Sequence, residues 1–548
     1  MKSKLLLIIL LALYVPIFAQ QVSIETAQEF ANVFMRNNIP TAKYSASSTG
    51  TTTSSVSVIN PIGKVVQSPV MYAVSQDSAW VLVSADERVT PILAYSDANT
   101  GMFPDKEDMP DGMIALLEWY EQQIQYLRDS TNITTIHEGW QKFQQTSNIS
   151  NIQFIVPSLL YRDGIANSWK QSGNNDITGS RYKSYNKFCP LTEEGRETLV
   201  GCVAVAMSQI MWYWKWPKAA IVNDDMGNSL IREYDWDYMP AQIKDTTSMY
   251  CVDMVANLLH DVGVSVNMNY GEFASGASPD SIPRAFKHTF YFKSSQRVNR
   301  YRNSSKWLNL LKENLNSGWP ILYGGSNANN RSHRYIIDGY DSSNRFHINY
   351  GYDKSYDGWF TLDVVSEASL YPFNQNAILD IHPNYPYWTP MEISQQEVWD
   401  THFIILNGGP IIIRDKVVEN NQDGVIYSGE YVKLTDGFHA QVGSKLHIAV
   451  KEVQCENLES SPQRVAPRSS SANEEDAYSN NGEVINNGLE TKTCEVIVST
   501  SIYTISGQLI QTISGGKHDV THLPSGMYIL QHRMSGGSVR CEKIANNK

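Results

Sequence analysis

The sequence predicts an α+β chain of several domains, with a helical segment and a β-rich segment building one unit, a small α+β region ahead of it and β-sandwich-like domains behind. Three observations predict this. Val203, Ala206, Met207, Ile210, Met211 and Trp214 repeat at the i, i+3, i+4, i+7 spacing of one helix face. Residues 334–337 and 345–348 are β-type runs on either side of the turn-rich stretch 338–344, the pattern of a hairpin. Beyond Pro383 apolar residues come in short runs divided by Gly, Asp and Asn, as at 411–413, 425–427 and 431–434.

In chain order, the 548 residues, 42% hydrophobic and 18% charged, suffice for several cored domains of roughly 100–200 residues each. A net charge of −12 argues against a general nucleic-acid or anionic-membrane binder, which would be basic. Residues 1–19 combine Lys2 and Lys4 with an apolar run at 5–15 and end in Ala19, the pattern of a secretory signal peptide. The alternative, a membrane anchor, needs a run of roughly 18–20 apolar residues. Export implies oxidising surroundings, yet six cysteines are too few for a disulfide scaffold. Cys455, Cys494 and Cys541 fall in the C-terminal part, where any bridge among them leaves one over; Cys189 and Cys251 read as packing residues unless they prove close.

Residues 20–148 read as a helix at 23–34, a Ser/Thr-rich loop at 45–57, strands at 70–74 and 80–84, and a helix at 111–127. Residues 149–383 hold the 201–214 helix, a second at 252–262, and one near 306–315 that Gly318 and Pro320 end before the strand 321–323. Residues 384–457 are a β-rich accessory domain in which His439 and His447 stand alone. Residues 458–487 are a linker too polar to bury a core, and 488–548 form a last domain.

Chemistry concentrates at two places. Cys202 sits in the first turn of its helix, where unpaired N–H groups and the helix dipole stabilise a thiolate and lower a pKa that is about 8.5 in a free cysteine. The plain alternative is a small buried core residue. Partners weigh against it. If the hairpin is centred on Asp341, residues whose numbers sum to 682 face one another, so His333 is expected opposite Asn349. The Asn amide would then hold one imidazole nitrogen and leave the other for a thiol. That is the Cys-His-Asn form of a nucleophile, base and orienter. The separation of 131 residues between Cys202 and His333 is that of papain-like enzymes, for which it is about 130–150.

Gly201-Cys202-Val-Ala-x-Ala-x-x-Gln209-Ile-Met211, His333-x-x-x-Ile337-Asp338-Gly339, His347-x-Asn349-x-Gly351 and Asp357-Gly358-x-Phe360 together resemble the streptopain family of secreted cysteine peptidases. Trp169-x-Gln171, Leu258-x-x-Asp261-Val-Gly263 and Met268-x-Tyr270-Gly271 extend the resemblance, which covers roughly residues 150–383. It implies a papain-like two-lobed catalytic domain, thiol and imidazole brought from opposite lobes, and Gln171 as the oxyanion-hole amide. It also implies an apolar preference at the second subsite on the acyl side. Ser332 stands where the family has glycine and Arg334 where it has a small residue, so the subsite near His333 is expected to be narrower or more polar. Ser332, Gly276 and Ser278 are the candidate substrate-binding residues; a plain flexible loop at 274–281 is the alternative. Tyr350 and Tyr352 replace tryptophans that would shield the His–Asn bond.

Residues 80–96 and the helix 111–127 resemble the inhibitory propeptide of the same family, with release expected by cleavage within 144–151; a constitutive N-terminal binding domain is the alternative. Residues 502–510 and 523–530 with Glu542-Lys543-Ile544 resemble the sorting domain read by the type IX secretion machinery, against one more small β-sandwich. The resulting expectation is a cysteine endopeptidase made as a zymogen, acting on proteins or peptides and inhibited by its own propeptide. It is secreted or held at the cell surface after crossing both membranes of a Gram-negative bacterium. No metal, cofactor or nucleic acid is expected, since the His and Cys residues lack metal-ligand spacing. The alternatives are an inactive adhesin on the same frame and an acyl transferase.

Overall fold

The computed structural model describes residues 21–39, 55–59, 68–76, 79–96, 101–130, 134–162, 165–171, 184–224, 226–352, 354–364, 374–384, 391–435, 437–450, 497–504, 509–514, 523, 526–534 and 539–546. The signal peptide and the 458–487 linker lie outside these, as do Cys455 and Cys494. The chain divides into two compact units at Asn384 and Tyr385.

In the first unit, helix ends are set by local chemistry. The Ser23 hydroxyl accepts from the Thr26 N–H to start α1 (Ile24–Asn38). α2 is Asp111–Asp129, and Pro110 precedes it, where a missing N–H costs nothing. α3 is Glu138–Thr146 and α4, the cysteine helix, is Cys202–Trp214. Ser248 caps α5 (Met249–Ser265), α6 is Ser281–His288, and Asn303 caps α7 (Ser304–Asn316).

These helices frame one antiparallel sheet of eleven strands. In chain order the strands are β1 (Ser55–Ile59), β2 (Met71–Gln76), β3 (Ala79–Ser84), β4 (Ile92–Ser96), β5 (Phe154–Val156), β6 (Val298–Asn299), β7 (Ile321–Ser326), β8 (Ser332–Asp341), β9 (Arg345–Asn349), β10 (Gly358–Thr361) and β11 (Asn376–Ile378). The spatial order is β1-β2-β3-β4-β10-β9-β8-β7-β11-β6, with β5 against β8. β1 corrects the loop expected through residue 57: Val56 and Val58 pair with Val74 and Tyr72, and that pairing satisfies the backbone of a Ser-rich segment.

The sequence divisions 20–148 and 149–383 meet inside this sheet. Ala94, Tyr95 and Ser96 of β4 face Phe360, Trp359 and Gly358 of β10. One apolar core takes Trp80, Leu82, Met113, Leu116 and Tyr120 from the N-terminal side, and Trp307, Tyr335, Phe346, Tyr350 and Phe360 from the other. A second core joins Phe30, Phe34, Trp140 and Phe143 to Trp359.

The second unit departs from expectation. Residues 391–450 pair in parallel, not as a sandwich. Met391–Ile393, Ile411–Ile413 and Val432–Leu434 stack in one sheet, His402–Asn407, Asp423–Ser428 and Lys445–Val450 in another, and Val417–Val418 with His439–Ala440 in a third. Strand starts advance by 411 − 391 = 20, 432 − 411 = 21, 423 − 402 = 21 and 445 − 423 = 22 residues, so each turn of the chain lays its strands on the turn before. Ile393, Phe403, Ile411, Ile413, Val418 and Ile426 fill the interior. A repeat of about 21 residues, seen in Gly408/Gly429 and Ile411/Val432, is the signal that identifies such a coil in sequence. The described strands after residue 496 form one antiparallel sheet of four.

Candidate active site

Gly201 precedes α4 with φ at +83°, a conformation that favours glycine, and a Cβ there would lie 3.0 Å from the Ser275 carbonyl oxygen. Glycine therefore lets the chain turn sharply into the helix beside the 271–276 segment, leaving Cys202 partly exposed at the helix start. The apolar face expected of this helix is buried except at its end, where Trp214 is half-buried, and the other sides are buried with it, every residue from Val203 to Trp212. Cys189 and Cys251 are not joined in a disulfide.

His333 comes from β8 and is buried. Its imidazole and the Cys202 thiol are close enough for charge and hydrogen bonding to act between them. Its Nε2 lies 2.9 Å from the main-chain carbonyl oxygen of Tyr350. A carbonyl can only accept, so Nε2 carries the proton and Nδ1 is the nitrogen left for sulfur. Gln171 Nε2 stands 3.5 Å from Nδ1. The rings of Tyr335 and Tyr352 flank the imidazole at 6.1 and 5.8 Å between centroids.

The electrostatics favour an ion pair. Burial works to raise the Cys202 pKa, but the imidazolium charge, its hydrogen bond, the Arg334 N–H and the Arg334 charge bring it below the usual thiol value. Burial likewise works to lower the His333 pKa, and the thiolate, the Tyr350 carbonyl and the Asp111 carboxylate raise it above the usual imidazole value. Each shift favours that group's own charged form, and the thiolate and imidazolium stabilise each other.

The expected His333–Asn349 pairing is corrected. Asn349 faces Ile336, and His347 faces Gly339, with a bulge between Ile337 and Gly339. Asp341 Oδ1 accepts from the N–H groups of Ser343 and Arg345, so the turn follows Asp341 rather than centring on it. The bulge and the later turn carry Asn349 three places along β8 from His333. Its buried amide serves another purpose: Nδ2 donates to the Asn167 carbonyl at 3.1 Å, and Oδ1 accepts from Gly351 N–H at 2.9 Å and from Gln209 Nε2 at 3.3 Å. Gln209 Nε2 also reaches Asn167 Oδ1 at 3.0 Å, and Gln171 N–H donates to the Gly351 carbonyl. This knot of three amides ties the loop bearing Gln171 to the loop bearing the Tyr350 carbonyl, whose own N–H donates to Asp357 Oδ1 at 3.0 Å.

Sequence reasoning therefore missed the Tyr350 carbonyl and gave no task to Gln209 or Asn167. One signal was present: Gln209 is an amide two turns past Cys202 in an otherwise apolar run. The other substrate candidates are spread out. Ser332 is exposed at the start of β8, Gly276 is exposed and paired with Asn269, and the Ser278 hydroxyl accepts from Asp280 N–H ahead of α6. Among the described residues no group of three or more His, Cys, Asp or Glu side chains gathers as metal ligands would.

The N-terminal region reaches this site. A Cβ on Gly112, in the first turn of α2, would lie 2.9 Å from His333 Cδ2 and 3.0 Å from the Tyr335 ring. Asp111 Oδ1 accepts from Asn327 Nδ2 at 3.1 Å, and Glu118 Oε2 from the Ala328 N–H at 2.8 Å.

Two family models match separate parts of this chain. Residues 180–360 match the model of the Peptidase C10 family, and residues 19–124 match that of the Spi protease inhibitor. The chain carries a C10 peptidase domain behind a Spi inhibitor domain. It is 27% identical over 331 residues to the thiol protease/hemagglutinin PrtT of Porphyromonas gingivalis, matching over 56% of this chain and 36% of that protein. To streptopain of Streptococcus pyogenes it is 26% identical over 318 residues, covering 53% of this chain and 73% of the relative. Among solved structures, a prointerpain A fragment of Prevotella intermedia aligns with a TM-score of 0.41 at 20% identity, over 60% of this chain and 99% of the fragment. Active interpain A aligns at 0.33 and 25% identity, over 41% and 93%. The Spi match thus spans the segment whose helix tip rests on His333, and the C10 match holds Cys202, His333 and Asn349. Gln171 lies just ahead of it.

Proposed function

We propose that this chain is made as a zymogen and acts as a cysteine endopeptidase once its Spi region is released. The observation that carries the reading is the pairing of Cys202 with a buried His333 whose Nε2 is anchored on the Tyr350 carbonyl. In acylation, His333 Nδ1 takes the thiol proton and sulfur attacks the peptide carbonyl. The imidazolium then gives that proton to the leaving amine as the C–N bond breaks. The Gln171 amide and the Cys202 N–H hold the oxyanion, an interaction worth about 3–4 kcal/mol elsewhere. Water next attacks the thioester with His333 as base, which restores the thiol. Tyr350 through its carbonyl, and Asn349, Gln209 and Asn167 through their amide knot, are positioning residues.

Release is expected within 144–151, much of it exposed between α3 and β5. Export through the 1–19 signal peptide and sorting by the 488–548 domain complete the proposal, with secretion machinery as the partner.

The test is labelling with a thiol-directed epoxide and a casein assay on the activated protein, alongside Cys202→Ala. Labelling and cleavage that both vanish in Cys202→Ala support the peptidase. An activated wild type that does not label supports an adhesin, and labelling with amine incorporation but no cleavage supports an acyl transferase. A secreted form that still begins near Gln20 and is fully active would rule out the zymogen.

A further inference from the structure

Arg334 follows His333 on β8 and is only 6% exposed, yet among the described residues its guanidinium makes one hydrogen bond, to Asn376 Oδ1 at 2.6 Å, and no ion pair. Buried charges are as a rule paired, because desolvating one alone is costly. The sheet makes room for this side chain: across the strand pair stands Gly324, where a Cβ would lie 2.7 Å from Arg334 Nη1 and 2.8 Å from its Cδ. A side chain at 324 would push the guanidinium away, so its place is fixed by glycine on one flank and Asn376 on the other.

That place is beside the nucleophile. Arg334 is the residue next to His333 on β8, and its N–H and its charge both help to lower the Cys202 pKa. Besides Cys202 and Tyr335, the groups that feel its charge are Arg297 and Asp280, and these two are paired with each other at 3.1 Å, so Asp280 is already engaged. One guanidinium nitrogen is spent on Asn376. The fork keeps its other donors, in the planar geometry that receives a carboxylate.

We propose that Arg334 is a specificity-determining residue: it forms an anion-accepting subsite beside Cys202 that selects peptides with an aspartate or glutamate within two residues of the scissile bond on the acyl side. This rests on the peptidase reading and reverses the apolar preference that the family resemblance implies for the subsite near His333. The bound carboxylate supplies the missing countercharge, and a neutral apolar side chain leaves the guanidinium unpaired.

The experiment is cleavage of a proteome-derived peptide library by the activated protein, read by mass spectrometry, with Cys202→Ala as the blank and Arg334→Ala and Arg334→Gln as variants. In the wild type, acidic residues are expected to be enriched about tenfold at one of the two acyl-side positions, the discrimination given by one charge-assisted hydrogen bond. Both variants are expected to lose that enrichment while still cleaving peptides with apolar residues there. A wild-type profile without acidic enrichment overturns the proposal on its own, whatever the variants do. So does an unchanged profile in the variants with only an alkaline shift of the acid limb of activity, which would confine Arg334 to tuning the thiol. Absence of any Cys202-dependent cleavage overturns the peptidase reading and the subsite with it.

Discussion

The N-terminal region grips the C10 domain in two places that differ in kind. At the seam, β4 pairs with β10, Tyr95 stacks on Trp359 with rings 8° from parallel, and Trp119 Nε1 donates to the Leu362 carbonyl at 3.1 Å. At the tip, the first turn of α2 meets His333 through a glycine and one carboxylate. The seam is extensive and apolar, and it is made by residues that take no part in chemistry. The tip is small and polar and touches the imidazole. In the proposed zymogen, holding on and blocking are therefore separate physical tasks, the first assigned to backbone pairing and burial, the second to steric fit over one ring.

The largest expected effect breaks the seam. Trp359→Ala removes a buried indole shared by the second core and should cost about 3–5 kcal/mol of the zymogen's stability, read as a lower denaturant midpoint. An unchanged midpoint would mean that the seam does not hold the two parts together. Next comes a variant that touches neither grip. Asn349→Ala leaves Gln209 and the Gly351 N–H short of an acceptor, a loss of about 1–3 kcal/mol. In the activated protein it should lower kcat with little change in KM, because it misplaces the Tyr350 carbonyl and Gln171 rather than substrate contacts.

Gly112→Val sharpens the comparison from the other side. Its branched side chain cannot occupy the 2.9 Å gap to His333, so the tip should lift while the seam stays. Epoxide labelling of Cys202 in the uncleaved protein should quicken about tenfold, equivalent to some 1.4 kcal/mol, with a small change in midpoint. Equal labelling rates would show that the tip does not block.

The smallest effect is electrostatic. The reactive thiolate–imidazolium pair exists between the lowered thiol pKa and the raised imidazole pKa, so labelling rises with pH through the first and falls through the second. Asp111 helps to raise the second. In the uncleaved protein Asp111→Asn should therefore move the alkaline limb of labelling to lower pH by a few tenths of a unit, with the acid limb nearly fixed. A shift in the opposite direction would contradict the contact.

Much of this was legible in the chain. The helix at Cys202 follows from a spacing that any reader of apolar periodicity can find, and the hairpin after His333 from its turn residues. The register was not legible. The turn residues alone put Asp341 at the centre of the turn, whereas its carboxylate holds the N–H groups of Ser343 and Arg345 beyond it, and a bulge at Asp338 adds a further offset. Two small local choices thus moved Asn349 from His333 to Ile336. The parallel coil at 391–450 was legible through its repeat and was passed over because short strands with turns between them also describe a sandwich.

By itself the sequence determined which atoms can react: a sulfur placed at a helix start by Gly201 and an imidazole on a strand, both set by residue identity and near neighbours. Only the tertiary structure decided what orients that imidazole, what covers it and what stands unpaired beside it. Each of these depends on register and on approach between distant segments. A main-chain carbonyl such as that of Tyr350 carries no residue signature, so only the folded sheet could single it out.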